Sequence, residues 1–559
     1  MDVNSQEFDT VVIGAGISGI AAANFYLKIH PDCRLVILEK EDCVGGVWNS
    51  KRSYESFWAP SKKGTAEYSD MAMIPPPEVD TFNDYFKAKY TTRYLENYVD
   101  RQRFAQQSLR QRIQFGFKVH TIQKLDGEWN VSGKDNTNKE CNLYAPKLIV
   151  ATGLMSAPSL PDLPSQGKFG GLVVHHERFG QSSVLSDPDM KHVTVLGGGK
   201  AAASMAYASA KAGKHVSWVI RESGTGPGHF ICSKENENGM AYTRFLARMS
   251  PSYLNPDTRW TRFQRGTVLG RKFGRSFWGS FDKGLRTEAN YEKRPSVKGF
   301  EKLSPHTPSA GTLHYPDFWD TIAQNVQVYQ DDIFELGKGL VRLKGGEEVP
   351  SDVLLCGTGW KSTQDFFDRD LLVELGLPHP FEDEPAEAAK KWDRLGKEAD
   401  QKVLKQFPAL GKPPVHHEKP IQATPYRLYN GIAPLRDDSI VFIGHVQIAN
   451  CFRVAECQAI WATAYLDKQI PLPPVEEREA EVALAIAWCR RRYLSNGQQG
   501  NMLAFELMGY TDKLLCELGL STHLLGGKLD LVSPAVPRDL RGLHGEYVRK
   551  YGNDETKVL

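Results

Sequence analysis

The sequence predicts an α/β protein of two doubly wound, Rossmann-like nucleotide-binding units, the second inserted in the first, followed by a helical C-terminal region. Three observations predict this. A short apolar run, a glycine turn and an alanine-rich helical stretch occur twice, at Asp9–Gly19 and at Val193–Ala202. Each is followed by a second apolar run, Arg34–Glu39 and His215–Ile220. Each unit later has an apolar strand that ends in a Thr-Gly turn, Leu148–Gly153 and Val353–Gly359. Strand, glycine turn, helix, strand is how a mononucleotide-binding half begins.

Taken in order, the first unit opens with the strand-like run Phe8–Ile13 and continues to residue 165. The proline-rich Ala157–Pro164 reads as a crossover between units. The second unit is expected over 166–335, with a return to the first over 336–475. In that return, Asp438–Gly444 reads as one more buried strand and Cys451–Leu466 as a helix. Residues 476–559 read as helical and charged.

Residues 225–310 do not fit a plain nucleotide fold. Arg244, Arg248, Arg259, Arg262, Arg265, Arg271, Lys272 and Arg275 alternate there with Phe245, Tyr253, Trp260, Phe263, Phe273, Phe277 and Trp278. A lid over a substrate channel, a site for an acidic partner, and a solvated insertion packed on its parent unit all fit this pattern. The last is favoured, because charge runs are usually surface.

Composition removes several function classes. The 559 residues carry 69 basic and 67 acidic side chains, a balance that points to neither nucleic acid nor a membrane surface as main partner. No run of eighteen apolar residues predicts a transmembrane segment. The first strand begins too early to follow a signal peptide, and the last residues match no retention or lipidation signal. The nine cysteines are scattered, without CxxC or zinc spacing. They read as reduced thiols of a cytoplasmic protein. No metal site is expected, and the oligomeric state stays open, a homo-oligomer included.

Gly14, Gly16 and Gly19 supply the tight turn, the close approach to a pyrophosphate and the close helix–strand packing of a dinucleotide site. The phosphates then meet the free N–H groups of a helix N-terminus. Glu39 ends the second strand, where an acid accepts from a ribose 2′-hydroxyl. Gly45 and Gly46 let the next loop lie on the ligand, with Val47 beside them and Trp48 as either a flavin-edge contact or a core aromatic. Ala15, Ser18, Val119 and Gly444 complete the expected contacts of this unit.

In the second unit Gly197, Gly199 and Ala202 form the GxGxxA variant. Its second strand ends in Arg221 instead of an acid, and a guanidinium there can take the 2′-phosphate of NADPH. Lys200 adds charge inside the turn, and Ala201 and Ser204 lie on the same helix. Arg221 beginning a polar loop is the plain alternative. Two dinucleotide sites in one chain imply hydride transfer from nicotinamide to a flavin.

These residues resemble the flavin-containing monooxygenase family. The resemblance rests on Gly14–Gly19 with Gly45–Trp48, on Gly197–Ser204, on Phe442-Ile-Gly444 with Ala455–Gln458 and Trp461, and on Phe169-x-Gly171-x-x-x-His175-x-x-x-Phe179, which matches the family's linker fingerprint in full spacing. It covers residues 8–225 and 330–470. It implies FAD in the first unit and NADPH in the second. It also implies a C4a-hydroperoxyflavin formed with O2, which passes one oxygen to a nitrogen or sulfur of a small organic molecule, a specialised metabolite included.

His175 lies at the expected hinge, where it either couples cofactor binding to domain position or satisfies backbone groups. Phe179-Gly180 in place of a tryptophan favours heteroatom oxygenation over Baeyer–Villiger insertion. One departure stands out. Ala59-Pro60-Ser61-Lys62 occupies the place of the family's Asn-Ser, and proline offers no donor. Ser61 and Lys62 are the candidates for the missing catalytic role. Without it, an oxidase or dehydrogenase results. A redox-sensing flavoprotein is the non-enzymatic alternative.

Overall fold

Thr10–Ile13, Leu35–Leu38 and Leu148–Val150 are apolar or β-branched on both faces, so they can lie only inside a sheet covered on both sides. In the computed structural model, which describes residues 5–222, 229–232, 242–289, 305–306, 310–313, 315, 317–413 and 421–552, they form one parallel sheet. Its order is Ile440–Phe442, Lys147–Val150, Thr10–Ile13, Leu35–Glu39, Ile113–Phe115. Leu148 stands opposite both Val11 and Ile440, so the chain does return to the first sheet after a long excursion.

The excursion contains the second parallel sheet, ordered Leu172–His175, Val353–Cys356, His192–Leu196, His215–Ile220, Val326–Gln330. In each sheet the late strand lies beside the first strand, and the chain winds outward from there. The gap between those two strands is the switch point where α/β sheets bind ligands. The expected boundary at 336 is corrected: Val353–Cys356 pairs with His192–Leu196 inside the second sheet. Its four residues are fully buried, and only a central place in that sheet covers them.

Helix Ile17–Ile29 packs along helix Cys451–Leu466, whose bounds are those read from the sequence. The C-terminal helices Val475–Arg492, Leu507–Glu517 and Leu543–Tyr551 share this core through Trp488, Leu514 and Tyr547, and the short helix Leu529–Val532 lies against the inserted helix Arg244–Met249. Tyr547 meets the Phe25 ring edge-on at 5.3 Å.

The inserted segment holds helices Arg244–Met249, Arg259–Gly266 and Val268–Ala289. The favoured packing on the parent unit is seen at Ala289, where the last helix ends buried in the second core, while the rest of the segment makes contacts elsewhere. Arg244 pairs with Asp512 and, at 2.8 Å, with Asp530, and Trp278 lies 6.0 Å from Phe505. The segment therefore docks on the C-terminal region. Residues 225–228, 233–241, 290–304 and 307–309 of the same expected insertion lie outside the described residues. Among the described residues no helix is long and apolar enough to cross a membrane.

Candidate active site

Both glycine turns sit at the carboxyl edges of their sheets, and each is shaped by contacts that forbid a side chain. Gly14 has φ +104°, and a Cβ there would sit 2.6 Å from the Ala151 carbonyl oxygen. Gly19 lies so close beneath it that a Cβ would fall 1.8 Å from the Gly14 oxygen. Gly16 caps helix Ile17–Ile29 without a side-chain bond, which leaves the first amides of the helix free. Gly46 closes over Gly16, and Gly45 N–H donates to the Ala15 carbonyl at 2.9 Å. Glu39 accepts from Ala15 N–H at 2.8 Å and from Glu41 N–H at 2.9 Å. Burial raises its pKa despite those bonds. Gly444 approaches Ser18 so closely that a Cβ would meet its Oγ at 2.4 Å. The last strand of the sheet thus ends over the same helix N-terminus. Val119 stays half-buried in the adjoining strand Lys118–Leu125.

The second turn repeats the first. Gly197 has φ +124°, and a Cβ would lie 2.5 Å from the Gly357 oxygen. The Trp218 indole N–H donates to the Gly197 carbonyl at 2.6 Å. Gly199 caps helix Lys200–Lys211 without a side-chain bond, and a Cβ there would meet nothing within 4 Å. Such a cap offers free amides and open space, which fits a pyrophosphate. Lys200 reaches from the first helical turn, where Ala201 follows it, to the Phe57 ring, 5.5 Å from its centroid. Burial pulls its ammonium down to about 8. Arg221 stands exposed at the end of strand His215–Ile220. Ser204 is buried under the helix, facing Tyr54 and Tyr315, and presents nothing to the turn itself.

One segment of the first unit spans the gap between the turns. Trp48 stacks on Phe57 at 5.8 Å, and Phe57 stacks on Tyr54 at 5.1 Å. Tyr54 meets Phe179 of the fingerprint edge-on at 5.0 Å. Trp48 is therefore one end of an aromatic chain running into the second unit. Arg52 fastens the same crossing: it donates to the Met155 carbonyl and to Glu177, each at 2.8 Å, and lies 5.4 Å from the Trp360 ring. Val47 occupies the short turn Gly46–Trp48.

The fingerprint residues have structural work here. Gly171 fits because a Cβ would fall 2.3 Å from the Asp352 oxygen. His175 accepts from Glu177 N–H at Nδ1, so its Nε2 carries the proton and donates to the Gly359 carbonyl at 3.0 Å. It satisfies backbone groups and ties the fingerprint to the return crossing. That crossing runs beside the outgoing one: Ser159 N–H meets the Gly359 carbonyl, and Lys361 N–H meets the Ala157 carbonyl. His176 beside it, buried near Lys200, is pushed down to about 3 and is neutral.

Ser61 and Lys62 lie on strand Trp58–Lys62, with Trp58 packed on the second core and Ala59 in the first. Ser61 is buried, and the Lys62 ammonium sits 5.2 Å from the Tyr85 ring. From this part of the chain Phe57 touches the second turn, through Lys200. Sequence reasoning missed Arg52, Tyr54 and Phe57, which belong to no motif. The aromatic spacing Trp48, Tyr54, Phe57, Trp58 was the available signal. Cys43, near the first turn, is a free thiol. Among the described residues no cluster could hold a metal ion.

Known proteins resemble this chain in sequence and in fold. Residues 11–232 match the family model described as pyridine nucleotide-disulphide oxidoreductase. The FAD-dependent monooxygenase rstn6 of Aspergillus nomiae is 30% identical, with 98% of this chain and 99% of that protein covered. Among solved structures, an NADP+-bound cyclohexanone monooxygenase mutant from Rhodococcus sp. Phi1 superposes with a TM-score of 0.58 at 18% identity, over 92% of this chain and 98% of that one. The S-allyl-L-cysteine S-oxygenase of Allium sativum gives 0.54 at 13% identity, over 99% and 95%. The structural likenesses establish the fold. The full-length sequence relationship establishes more: this chain belongs to the FAD-dependent monooxygenases.

Proposed function

We propose that the enzyme is NADPH-dependent and places one oxygen atom of O2 on a nitrogen or sulfur of a small organic molecule. The second oxygen leaves as water, and NADPH supplies the two electrons. The observation that carries the reading is the contrast in charge at the two turns. Glu39 backs the first, whereas Lys200 and Arg221 flank the second. A carboxylate accepts from ribose hydroxyls, and cations suit a 2′-phosphate.

Bound flavin would supply hydride acceptance and oxygen activation. The chain supplies placement. The free amides behind Gly16 and Gly199 hold pyrophosphates, and the Trp48–Phe57–Tyr54 chain with Arg52 fixes the distance between the two sites. Ser61 and Lys62 follow Pro60 on the strand Trp58–Lys62 and are assigned to the substrate side. Phe179, where Baeyer–Villiger enzymes carry tryptophan, supports heteroatom oxygenation; Gly180 beside it answers to packing, since a Cβ there would fall 2.8 Å from the Ser53 oxygen.

The test is turnover under 18O2 with NADPH or NADH and with a sulfide, a tertiary amine or a cyclic ketone. One labelled oxygen in a sulfoxide or N-oxide, with NADPH preferred, bears the reading out. A labelled lactone from the ketone alone replaces it with Baeyer–Villiger oxygenation. Stoichiometric hydrogen peroxide with every substrate replaces it with an oxidase. A raised peroxide share in Ser61→Ala and Lys62→Met would assign those side chains to the oxygen-transfer step.

A further inference from the structure

Helices Arg259–Gly266 and Val268–Ala289 form a hairpin with two unlike faces. The inner face is pinned. Gln264 and Trp278 both donate to the Met249 carbonyl at 3.2 Å, and Arg265 lies 4.5 Å from the Phe407 ring. The helices cross tightly at Gly270, where a Cβ would sit 2.1 Å from the Phe263 oxygen. Thr258 caps the first helix by bonding Thr261 N–H.

The outer face is apolar and solvent-exposed. Val268 and Leu269, at the bend, are 69% and 72% exposed, and Trp260, Phe263 and Phe273 are 37%, 39% and 47% exposed. These aromatics form one patch: Trp260 lies 5.7 Å from Phe263 and 6.0 Å from Phe273. Exposed residues in such a group, held on a fixed scaffold, mark an interaction surface. Around the patch stand Arg259, Arg262, Arg271, Lys272 and Arg275, all exposed, and no acid occurs over residues 259–281. The nearest acid, Asp257, is 3.6 Å from the Arg262 Nε.

We infer that this hairpin docks the enzyme on an anionic lipid surface. Aliphatic residues at a protruding bend, an interfacial tryptophan and a rim of cations are what an interfacial helix presents to headgroups and acyl chains. Nucleic acid would use the cations and aromatics but leave Val268 and Leu269 without a role. An acidic protein would do the same unless it also offered an apolar pocket. The near-neutral chain conceals the patch because its acids lie elsewhere in the sequence.

The experiment is co-sedimentation of the full-length flavoprotein with vesicles of phosphatidylcholine alone and of phosphatidylcholine with phosphatidylserine. Binding is expected only to the second, weakened about tenfold by raising salt from low to physiological ionic strength. The surface variant Val268→Ser/Leu269→Ser is expected to lose about tenfold in vesicle affinity while keeping its flavin spectrum and melting temperature. Absence of binding to both vesicles overturns the inference. So does binding that the serine variant leaves unchanged, which would be charge attraction alone. RNA binding without vesicle binding, or a dimer in size exclusion that the serine variant dissociates, would assign the patch to another partner and overturn it too.

Discussion

The two glycine turns solve one packing problem in opposite ways. In the first, the helix supplies glycine and the late strand supplies alanine: Gly19 lies against Gly14, with the Ala151 methyl 3.4 Å from where its Cβ would be. In the second, the helix supplies alanine and the late strand supplies glycine: a Cβ on Gly357 would fall 2.7 Å from the Ala202 methyl. One methyl has moved across the contact. The third position of the motif is therefore not a free choice between glycine and alanine: the Gly14 carbonyl holds position 19 to glycine, whereas the methyl of Ala202 is accommodated by Gly357, more than a hundred positions away in the chain.

The comparison breaks most visibly at the helix-side positions. Gly19→Ala drives a methyl into the Gly14 carbonyl and should yield protein without flavin, read as loss of visible absorbance after purification. Gly199→Ala, where a methyl meets nothing, should keep flavin and stability and raise the KM for NADPH about tenfold, by obstructing the approach of the pyrophosphate. Equal flavin loss in both would mean that the turns are not separate sites.

Gly357→Ala sharpens the exchange of methyls. It should cost about 1–3 kcal/mol in denaturant unfolding, the usual cost of overpacking. Ala202→Gly in the same molecule should restore only part of this, because the Ala202 backbone nitrogen is also 2.7 Å from the new methyl. Full additivity of the two changes would show that the contact is not the reason for the pairing.

The third test concerns the span between the turns. Arg52→Lys keeps the charge but cannot hold Met155, Glu177 and the Trp360 ring at once. A several-fold fall in kcat/KM for NADPH, about five- to tenfold, is expected with flavin content unchanged. Glu177→Gln should do less, since Met155 and Trp360 still hold the guanidinium. An Arg52→Lys enzyme with wild-type kcat/KM would show that the crossing is held by its aromatic chain alone.

Much of this was legible in the sequence, and the limit has a physical cause. Both turns, Glu39, Arg221 and helix Cys451–Leu466 were readable because each is specified by neighbours in sequence: a period, a glycine, a strand end. Strand Val353–Cys356 was recognisable as the late strand of the second unit, yet the boundary at 336 cut it off from that unit, since where a unit ends depends on long-range pairing. Arg52 gave no signal, and the aromatic spacing around Phe57 did not say what it meets, because their partners lie about 125 and 140 residues away, at Glu177 and Lys200. Ser204 satisfied the pattern but is turned inward, toward two tyrosines that no motif connects to it.

The smallest expected effect separates the turns by pH. Burial places the free Lys200 ammonium near 8, and a bound phosphate would favour its charged form. The KM for NADPH should therefore be flat below about pH 8 and rise above it, about three- to tenfold by pH 9. Lys200→Arg should flatten the rise, because a guanidinium stays charged. Stability runs the other way. The folded value lies below the ordinary 10.5, so the folded state holds fewer protons than the unfolded between about 8 and 10.5. This group's contribution to stability therefore increases with pH across that window, relative to Lys200→Met. Cofactor affinity and stability moving in opposite directions over the same pH range is a signature that general unfolding at high pH cannot produce. A KM that rises in parallel with loss of stability would remove Lys200 from the phosphate site.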